Sequence, residues 1–579
     1  MTLIGRTFLS DMKKYSPAMA ENLLIVPLLV TEKFNPAQNQ RDGGARLVKS
    51  MHQAFGESLK IMQFGKEIDP QATWQFDYPF DITNRFERRM ANAKFIAEKI
   101  QEIEGQFTHV FFVHISMQFG LVYQPLEKGP EVWTFPMFLT PSYVASGEHI
   151  PDEYFEMEQL ALSHSDHIIT PSPLERKQLL NEYSVPEEKI HVIPRGVDMG
   201  YFRPKKRSIE GEVLFASIGS VKPQKNTLEL VDLFSRIHLR YPDAQLKIIG
   251  PIQNPEYYKE LLTKIHRLQL EEWVQFTGFI PPHQIASIIE NDHIHLSCSS
   301  CETFGRSIFE TLASGMPNIA RIANNAAAEF LGHLPYARFV NNHEEALTII
   351  EWMIQNYSQL SEMALEIGNL YDDNILSKRL FASICSKNTI AISDFDGTLY
   401  HKDDPKRTER CIAAFGQYSL KVLCSARPID DLLEQMKLLN LEVDWIIGSS
   451  GSIVTDSKGH LLWCTPLDTQ SLIDLKDQMP TALSIDYFGE TLQLKTSVEE
   501  LKNILGFRFE TYGDDGYISH WKASKLHAVH QLLKRIDWDG QIRVFGDGPY
   551  DRELLTYFDG TLITPFPENN LQKKEIEYV

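Results

Sequence analysis

Residues 389–398 read TIAISDFDGT, an apolar run that is followed at once by two carboxylates. The run at 389–392 predicts a buried strand, and Asp394 and Asp396 lie just past its end, where the chain bends toward a helix. The carboxyl ends of strands are where α/β proteins bind their ligands. Two carboxylates there suit a phosphoryl transfer assisted by Mg²⁺, in which one attacks phosphorus and the other handles the leaving-group proton.

The length and charge of the chain limit its class. With 579 residues, it predicts three or four domains at roughly 150 residues each. The net charge of −20 argues against binding nucleic acid or an anionic membrane, although a local basic pocket for phosphorylated substrates remains compatible with it. No apolar run reaches about 18 residues, and the first residues lack the apolar core of a signal peptide. We therefore expect a cytoplasmic protein without membrane insertion.

Six cysteines are spread along the chain, as is usual in a reducing compartment. Cys298 and Cys301 are the one pair at the spacing of a redox or zinc site. No second pair accompanies them, and His293 and His295 match no zinc spacing. We interpret both cysteines as packing residues.

Strand-like apolar runs alternate with helical patterns along nearly the whole chain, which predicts an α/β protein with parallel sheets. Two breaks divide the pattern, a polar segment at 203–212 and a weaker break near 386–388. The predicted domains are therefore residues 1–204, 205–387 and 388–579. Pro27 within the first run is unusual for a central strand.

Two motifs before residue 388 are typical of anion binding. Gly43-Gly44-Ala45-Arg46 follows the first strand and opens a helix, where a tight turn is the alternative interpretation. A second loop, at 218–226, follows another strand and brings Lys225 close to a helix N-terminus, where a diphosphate could be held.

A third motif, ETFGRSIFE at 302–310, carries Glu302 and Glu310 eight residues apart. The two would share a face if both were helical. Gly305 at a loop-to-helix junction would expose backbone N–H groups to phosphate.

The segments IPRGVD (193–198), GSVKPQK (219–225) and ETFGRSIFETLASGMP (302–317) resemble the large family of retaining glycosyltransferases with two Rossmann-like domains, the GT-B fold. This family includes sucrose-phosphate synthase, and the resemblance covers residues 20–385. It implies that a nucleotide-sugar is the donor substrate and that Glu302 acts beside the donor sugar. Further implied contacts are Gly44, Lys225, Arg306 and Glu310 for the donor, and Gly43, Arg46 and His114 for the acceptor.

The chain departs from that family at Ser220, where the family usually has an arginine. One guanidinium is thus missing from the leaving diphosphate, and we hypothesise that Lys222 or Arg306 replaces it. The aromatic segment 133–148 has no clear periodicity and predicts either an acceptor-binding loop or an ordinary packed loop. His114 ends a predicted strand and is either an acceptor contact or a structural histidine.

The last third of the chain adds three pieces to the carboxylate pair. They are Ser425 at a strand end, Lys525 at the start of a helix, and the carboxylates Asp547 and Asp551. A hydroxyl and an ammonium would hold phosphoryl oxygens, and further carboxylates would hold Mg²⁺.

The four pieces together resemble the haloacid dehalogenase-like phosphatases. The resemblance implies that Asp394 is the nucleophile and Asp396 the general acid/base, and that Ser425 and Lys525 bind phosphate. It also implies a Mg²⁺ site formed by Asp394, Asp396, Asp547 and Asp551. Residues from about 428 to 520 predict an α/β cap, an arrangement similar to that of sugar-phosphate phosphatases.

These resemblances predict a bifunctional enzyme. Its first part would transfer a sugar from a nucleotide-sugar to a phosphorylated acceptor with retention, and its second part would hydrolyse the phosphate of the product. One alternative is a glycosyltransferase of surface-glycan or secondary-metabolite synthesis whose phosphatase acts on a different intermediate. Another is a chain in which one domain is catalytically silent.

Overall fold

The computed structural model describes residues 26–32, 43–66, 69–127, 129–145, 149–385, 388–499, 504–512 and 514–563. The chain divides into two compact units between Phe381 and Ala382, within the helix Asp373–Cys385. The first unit contains two parallel sheets, and the second contains one mixed sheet and one antiparallel sheet. The predicted α/β class with Rossmann-like sheets is confirmed.

The first sheet has seven strands in the order β3-β2-β1-β4-β5-β6-β7. The strands are β1 (Pro27–Thr31), β2 (Lys60–Phe64), β3 (Trp74–Phe76), β4 (His109–Val113), β5 (Glu131–Phe135), β6 (His167–Thr170) and β7 (Ile190–Val192). The helices between them are α1 (Gly43–Phe55), α2 (Arg85–Glu102), α3 (Thr140–Ala145), α4 (Asp152–Ser163) and α5 (Pro173–Glu182). Every pairing is parallel, and β1 is buried on both faces, as a doubly covered sheet requires.

Pro27 is the first residue of the central strand β1. The first residue of a strand is one of the few places in a sheet that tolerates a proline. The segment 133–148, which was predicted to be a loop, is only partly irregular. Its first residues belong to the strand β5 (Glu131–Phe135), which lies between β4 and β6. Residues 140–145 are helical, and residues 146–148 lie outside the described part of the chain.

The second sheet has six strands in the order β10-β9-β8-β11-β12-β13. The strands are β8 (Leu214–Ile218), β9 (Gln245–Ile249), β10 (Val274–Gly278), β11 (Ile294–Ser297), β12 (Asn318–Arg321) and β13 (Ala337–Val340). The helices are α6 (Thr227–Arg240), α7 (Pro255–Arg267), α8 (Pro282–Ile288), α9 (Arg306–Ala313), α10 (Ala327–Leu331), α11 (His343–Gln355), α12 (Tyr357–Ala364), α13 (Glu366–Leu370) and α14 (Asp373–Cys385).

Helix α14 returns from the second domain to the first. The Ser50 hydroxyl on α1 donates to Asp373 Oδ1 at 2.9 Å, and the rings of Phe55 and Phe381 meet edge to face at 5.5 Å. The Arg379 guanidinium lies 3.4 Å from the carbonyl oxygen of Val192 on β7. The two sheets of the first unit are thereby tied together across a cleft.

The second unit is built on a seven-stranded sheet in the order β18-β17-β16-β15-β14-β23-β24. The strands are β14 (Thr389–Ser393), β15 (Leu420–Cys424), β16 (Trp445–Gly448), β17 (Ile453–Asp456), β18 (Leu461–Cys464), β23 (Gln541–Gly546) and β24 (Thr561–Leu562). The helices of this layer are α15 (Pro405–Phe415), α16 (Ile429–Leu439), α18 (Lys525–Arg535) and α19 (Arg552–Phe558).

A separate antiparallel sheet, the cap sheet, has the order β19-β20-β22-β21. It consists of β19 (Leu483–Tyr487), β20 (Glu490–Ser497), β21 (Phe507–Tyr512) and β22 (Asp515–His520), with α17 (Thr469–Gln478) before it. This cap is shorter than the predicted segment 428–520. The residues of α16 and of β16–β18 belong to the layer of the main sheet, because β16 pairs directly with β15.

Candidate active sites

Lys225 and Glu302 form an ion pair in the first unit. Lys225 lies in the turn between β8 and α6, and Glu302 lies in the loop before α9. Burial alone would raise the pKa of Glu302, but the charge and hydrogen bond of Lys225 outweigh it and hold that pKa below its usual value. The site therefore offers an ionised carboxylate beside an ammonium group.

Glu302 and Glu310 do not share a helix, because α9 begins only at Arg306. The backbone of Glu302 instead forms an isolated parallel β-bridge with that of Asn325. Gly305 precedes the helix with φ of 80°, a conformation that glycine adopts without strain. The condition for a shared helical face, that both glutamates be helical, is thus not met.

Three arginines from distant parts of the sequence line one small cleft. Arg46 comes from α1, Arg195 follows β7, and Arg306 opens α9. Burial, together with the neighbouring charge of Arg46, lowers the pKa of Arg306 to about 9. A concentration of guanidinium groups this close together is favourable only with anions nearby, so the cleft is suited to a phosphorylated ligand.

Carboxylates of the protein occupy part of this cleft. Arg46 forms an ion pair with Glu310, so that a residue of the first domain holds a residue of the second. Lys49 forms an ion pair with Asp198, and Asp373 lines the cleft beside Arg195. A ligand that uses Glu310 must therefore release it from Arg46.

Glu175 is a buried carboxyl group near the cleft, with 1% of its surface exposed. Neither of its oxygens has a hydrogen-bond partner among the described residues. Burial raises its pKa to about 8, and the charge of Arg195 opposes that rise. Glu175 and Asp373 lie in none of the sequence motifs. Arg195 lies in the IPRGVD motif, but no role was predicted for it.

The predicted acceptor contacts differ in their positions. Arg46 lines the cleft, and Gly43 is the first residue of α1, where the predicted donor contact Gly44 follows it. His114 caps a short turn after β4 with φ of 99°, and its Nδ1 accepts from the Ser116 N–H at 3.2 Å. His114 is not among the residues that line the arginine cleft.

The second unit gathers three carboxylates, Asp394, Asp547 and Asp551, whose oxygens lie within 4.8 Å of one another. They meet because β14 pairs with β23, which places Ser393 opposite Phe545. Gly397 is required here, since a Cβ atom at that position would lie 1.8 Å from Asp547 Oδ2. A group of carboxylate oxygens at this spacing fits a hard divalent cation such as Mg²⁺.

Lys525 is buried between two of these carboxylates. Its Nζ lies 2.7 Å from Asp394 Oδ1 and 2.6 Å from Asp551 Oδ1. Ser524 caps α18 by accepting from the His527 N–H at 3.0 Å, which places Lys525 at the first position of the helix. Burial raises the pKa of Asp394 to about 7, although Lys525 opposes that rise.

Asp396 is bound by an arginine instead of joining the carboxylate group. Arg427 donates through Nε at 2.6 Å to Oδ2 of Asp396 and through Nη2 at 2.5 Å to Oδ1. Half of the Asp396 side chain is exposed. Ser425 is buried one strand away, where its hydroxyl accepts from the Arg427 N–H at 3.3 Å. The sequence patterns assign no role to Arg427.

Comparisons with known protein families match separate family models to the first and to the second unit. Residues 65–201 match the model of Glycosyltransferase Family 4, and residues 200–368 match that of Glycosyl transferases group 1. Residues 391–491 match the haloacid dehalogenase-like hydrolases.

Among curated proteins, alpha-monoglucosyldiacylglycerol synthase of Streptococcus pneumoniae is 27% identical over 415 residues, which cover 64% of this chain and 91% of that protein. Mannosylfructose-phosphate synthase of Agrobacterium fabrum is 26% identical over 185 residues, 29% of this chain and 40% of that protein. The similarity to each extends over one part of this chain.

Among solved structures, sucrose-phosphate synthase from Thermosynechococcus elongatus superposes with a TM-score of 0.53 at 16% identity, covering 61% of this chain and 96% of that one. Anabaena HepE in complex with UDP and glucose gives a TM-score of 0.50 at 15% identity, with 62% and 99% covered. At this identity the likeness establishes the fold alone. None of the helices in the described ranges has the length and apolarity needed to cross a membrane.

Proposed function

Because the chain joins two glycosyltransferase domains to a haloacid dehalogenase-like hydrolase domain, we propose that it catalyses two consecutive reactions. The first domains transfer a sugar, with retention, from a nucleotide-sugar to a phosphorylated acceptor. The hydrolase domain then removes the phosphate from the product. Loss of inorganic phosphate makes the sequence effectively irreversible.

The cluster of Arg46, Arg195 and Arg306 is the observation that best supports a phosphorylated acceptor. Lys225 already provides a cation beside Glu302, where the donor sugar is expected. Beyond Lys225 and Arg306, which would serve the donor diphosphate, Arg195 and, once released from Glu310, Arg46 provide positive charge for a second phosphate group. Arg306, the first residue of the helix after the Glu302 loop, is our candidate to serve the diphosphate in place of the arginine that Ser220 replaces.

In the transfer step, charged side chains that the fold already positions stabilise the transition state. Lys225 and Arg306 stabilise the negative charge that develops on the leaving diphosphate. Glu302 is ionised and lies where it can hold donor hydroxyls or the positive charge that develops on the sugar. Glu310, once free of Arg46, binds the ribose of the nucleotide.

The hydrolytic step uses the second unit. Asp394 attacks the phosphorus atom while Lys525 and Ser425 hold phosphoryl oxygens. Asp396, released from Arg427, gives a proton to the leaving oxygen and then takes one from the water that attacks the aspartyl phosphate. Asp394, Asp547 and Asp551 would hold Mg²⁺, which supplies charge neutralisation at the phosphoryl group when bound.

A second candidate function rests on the alignment with alpha-monoglucosyldiacylglycerol synthase, which extends over 91% of that protein. In this alternative the transferase glycosylates a lipid or a surface glycan. The hydrolase then acts on a different phosphorylated intermediate.

The experiment compares the wild-type protein with Asp394→Asn on a panel of nucleotide-sugars with fructose 6-phosphate, inositol phosphate and diacylglycerol as acceptors. Consecutive action predicts that the variant accumulates a phosphorylated glycoside and that the wild-type protein releases the free glycoside with phosphate. If both proteins give the same final product, the two steps are not coupled. Transfer to diacylglycerol alone would support the second candidate.

A further inference from the structure

Glu175 and Arg195 lie at the same edge of the first sheet, in the connections that follow two neighbouring strands. β6 pairs with β7 in parallel, with Thr170 opposite Val192. Glu175 is the third residue of α5, which starts shortly after β6, and Arg195 follows the end of β7 by three residues. Parallel strands bring their carboxyl ends to one edge, so the two connections lie side by side, where Arg195 lines the arginine cleft.

The Glu175 carboxyl group does not make the contact that its place in the helix offers. Ser172 caps α5 by accepting from the Glu175 N–H at 3.3 Å, and a glutamate at this position commonly reaches back to the backbone N–H of the capping residue. Both oxygens of Glu175 instead lack a hydrogen-bond partner among the described residues, although only 1% of the residue is exposed. A buried polar group without a partner costs free energy, so capping does not account for this glutamate.

The Arg195 guanidinium also lacks a strong partner in the described part of the chain. It donates through Nη2 to the Met137 thioether, a weak acceptor, at 3.4 Å, and no ion pair joins it to a carboxylate of these residues. Its electrostatic neighbours are Glu175 and Asp373, which both oppose the lowering of its pKa by burial. A cation that lines the cleft and a buried carboxyl group thus influence each other without forming a pair.

A proton on Glu175 explains why the two groups do not pair. Burial raises the pKa of Glu175 to about 8, so at neutral pH this carboxyl group is mostly uncharged, and Arg195 is the cation that opposes the rise. Two other titratable groups come close from the second domain. The Cys301 thiol has its pKa raised by burial and, to a smaller extent, by Glu175, and Glu329 accepts from the neighbouring Leu174 N–H at 2.8 Å.

We propose that Glu175 is a positioning residue for the transferase: uncharged, it leaves Arg195 to the phosphate of the acceptor, and ionised, it takes Arg195 for itself. Carboxylate and phosphate then compete for one guanidinium, so the acceptor binds the protonated form of the site. Acceptor binding weakens as the pH rises through about 8, by about fourfold at pH 8.5. The inference rests on the proposed transfer to a phosphorylated acceptor and adds the residue that controls the phosphate contact.

The test measures sugar transfer from a nucleotide-sugar to fructose 6-phosphate at about pH 7 to 8.5, where a phosphate monoester stays largely a dianion. This range ends below the pKa of about 9 of the neighbouring Arg306. The acceptor KM of the wild-type protein should rise about fourfold, and the donor KM should not follow it. Glu175→Gln and Glu175→Leu cannot ionise and should keep a constant acceptor KM.

Glu182→Gln is the matched control, because Glu182 is exposed on the same helix, and it should keep the wild-type rise in acceptor KM. Two uncharged variants are used so that the test still stands if one of them does not fold. An acceptor KM that rises with pH in the Glu175 variants as it does in the wild-type protein overturns the proposal, and so does a donor KM that rises equally.

Titration calorimetry with sulfate, a dianion throughout this pH range, tests the same competition without turnover. The part of sulfate binding that is lost in Arg195→Ala depends on this guanidinium. That part should weaken about fourfold from about pH 7 to 8.5 in the wild-type protein and stay constant in Glu175→Gln. The proposal fails if no binding depends on Arg195, or if Glu175→Gln weakens equally. If fructose 6-phosphate accepts no sugar, the proposed function fails, whereas the sulfate titration still decides whether Glu175 controls Arg195.

Discussion

Lys525 Nζ lies 2.7 Å from Asp394 Oδ1, in a site where both side chains are almost fully buried. The same ammonium contacts Asp551 at 2.6 Å, so one cation balances two carboxylates. A buried ion pair contributes little net stability, but removing one partner leaves a buried charge uncompensated. Lys525 is therefore the counter-charge that holds Asp394 and Asp551 in place, and in the proposed mechanism it also binds the phosphoryl group.

Replacing Lys525 with methionine should destabilise the hydrolase unit by about 3 kcal/mol or more and abolish phosphatase activity. Chemical denaturation followed by circular dichroism measures the first effect, and phosphate release measures the second. Lys534→Met on the exposed end of the same helix is the control and should leave both unchanged. A Lys525→Met protein as stable as the wild type would show that the ammonium group is not needed to offset the burial of the two carboxylates.

Mg²⁺ should stabilise the hydrolase unit even without substrate. Asp394, Asp547 and Asp551 place three carboxylates together with one lysine among them, so a divalent cation relieves their repulsion. We expect a rise in melting temperature with millimolar MgCl₂, loss of that rise in Asp547→Asn, and loss of phosphate release after chelation. Nucleotide release by the transferase should continue in the presence of the chelator. An equal loss of phosphate release and nucleotide release would contradict a Mg²⁺ requirement limited to the hydrolase.

Arg306 should compensate for Ser220, whereas Lys222 should not. Arg306 lines the arginine cleft, and Lys222 is not among its lining residues. Arg306→Ala should lower kcat/KM for sugar transfer by about 100-fold, the size expected for loss of a charged contact to the leaving group. Lys222→Ala should change it by less than about threefold. Full activity in both variants would mean that neither residue replaces the missing arginine.

Glu175 should make the stability of the first unit depend on pH. Its pKa is raised from 4.5 to about 8 because it is buried, so the folded state holds a proton that the unfolded state releases. This stabilisation is complete below about pH 4.5 and is lost as the pH rises through about 8, at up to about 1.4 kcal/mol per pH unit. Urea denaturation between pH 5 and 8 should show a flatter profile for Glu175→Gln. Glu182→Gln, exposed on the same helix, should keep the wild-type slope.

The hydrolase site was predictable from sequence because each of its motifs lies at the end of a regular element. Asp394 and Ser425 follow adjacent strands, and Lys525 opens a helix, so parallel pairing alone brings them together. Arg427 was harder to interpret, since nothing in its spacing indicates that it reaches back 31 residues to hold Asp396.

The transferase cleft was only partly predictable. Arg46, Arg195 and Arg306 belong to different elements, and their convergence depends on how two sheets pack across a cleft. The strand β5 was missed because Thr134 interrupts its apolar pattern. The structure satisfies this buried hydroxyl with Gln118 Oε1 at 2.6 Å, a contact that no local pattern reveals.

The polar segment 203–212 marks a domain boundary in the sequence, yet its Arg207 is buried. The guanidinium donates to the carbonyl oxygens of Ser314, Ile289 and Asp292 at 2.9, 2.5 and 2.6 Å. Burial lowers the pKa of Arg207, and Asp292 is among the groups that oppose this effect. We expect Arg207→Met to destabilise the first unit by about 3 kcal/mol, because three carbonyl groups lose a charged donor.

Thermal and urea denaturation of Arg207→Met measure this loss, and Arg207→Lys should recover only part of it, since an ammonium lacks the planar fork of donors. Lys206→Met is the matched control, because Lys206 is 54% exposed and pairs only at the surface with Glu362. A wild-type melting temperature for Arg207→Met would mean that the segment is a true linker. A loss in Arg207→Met that Lys206→Met does not share would instead show that Arg207 anchors the segment to the second sheet.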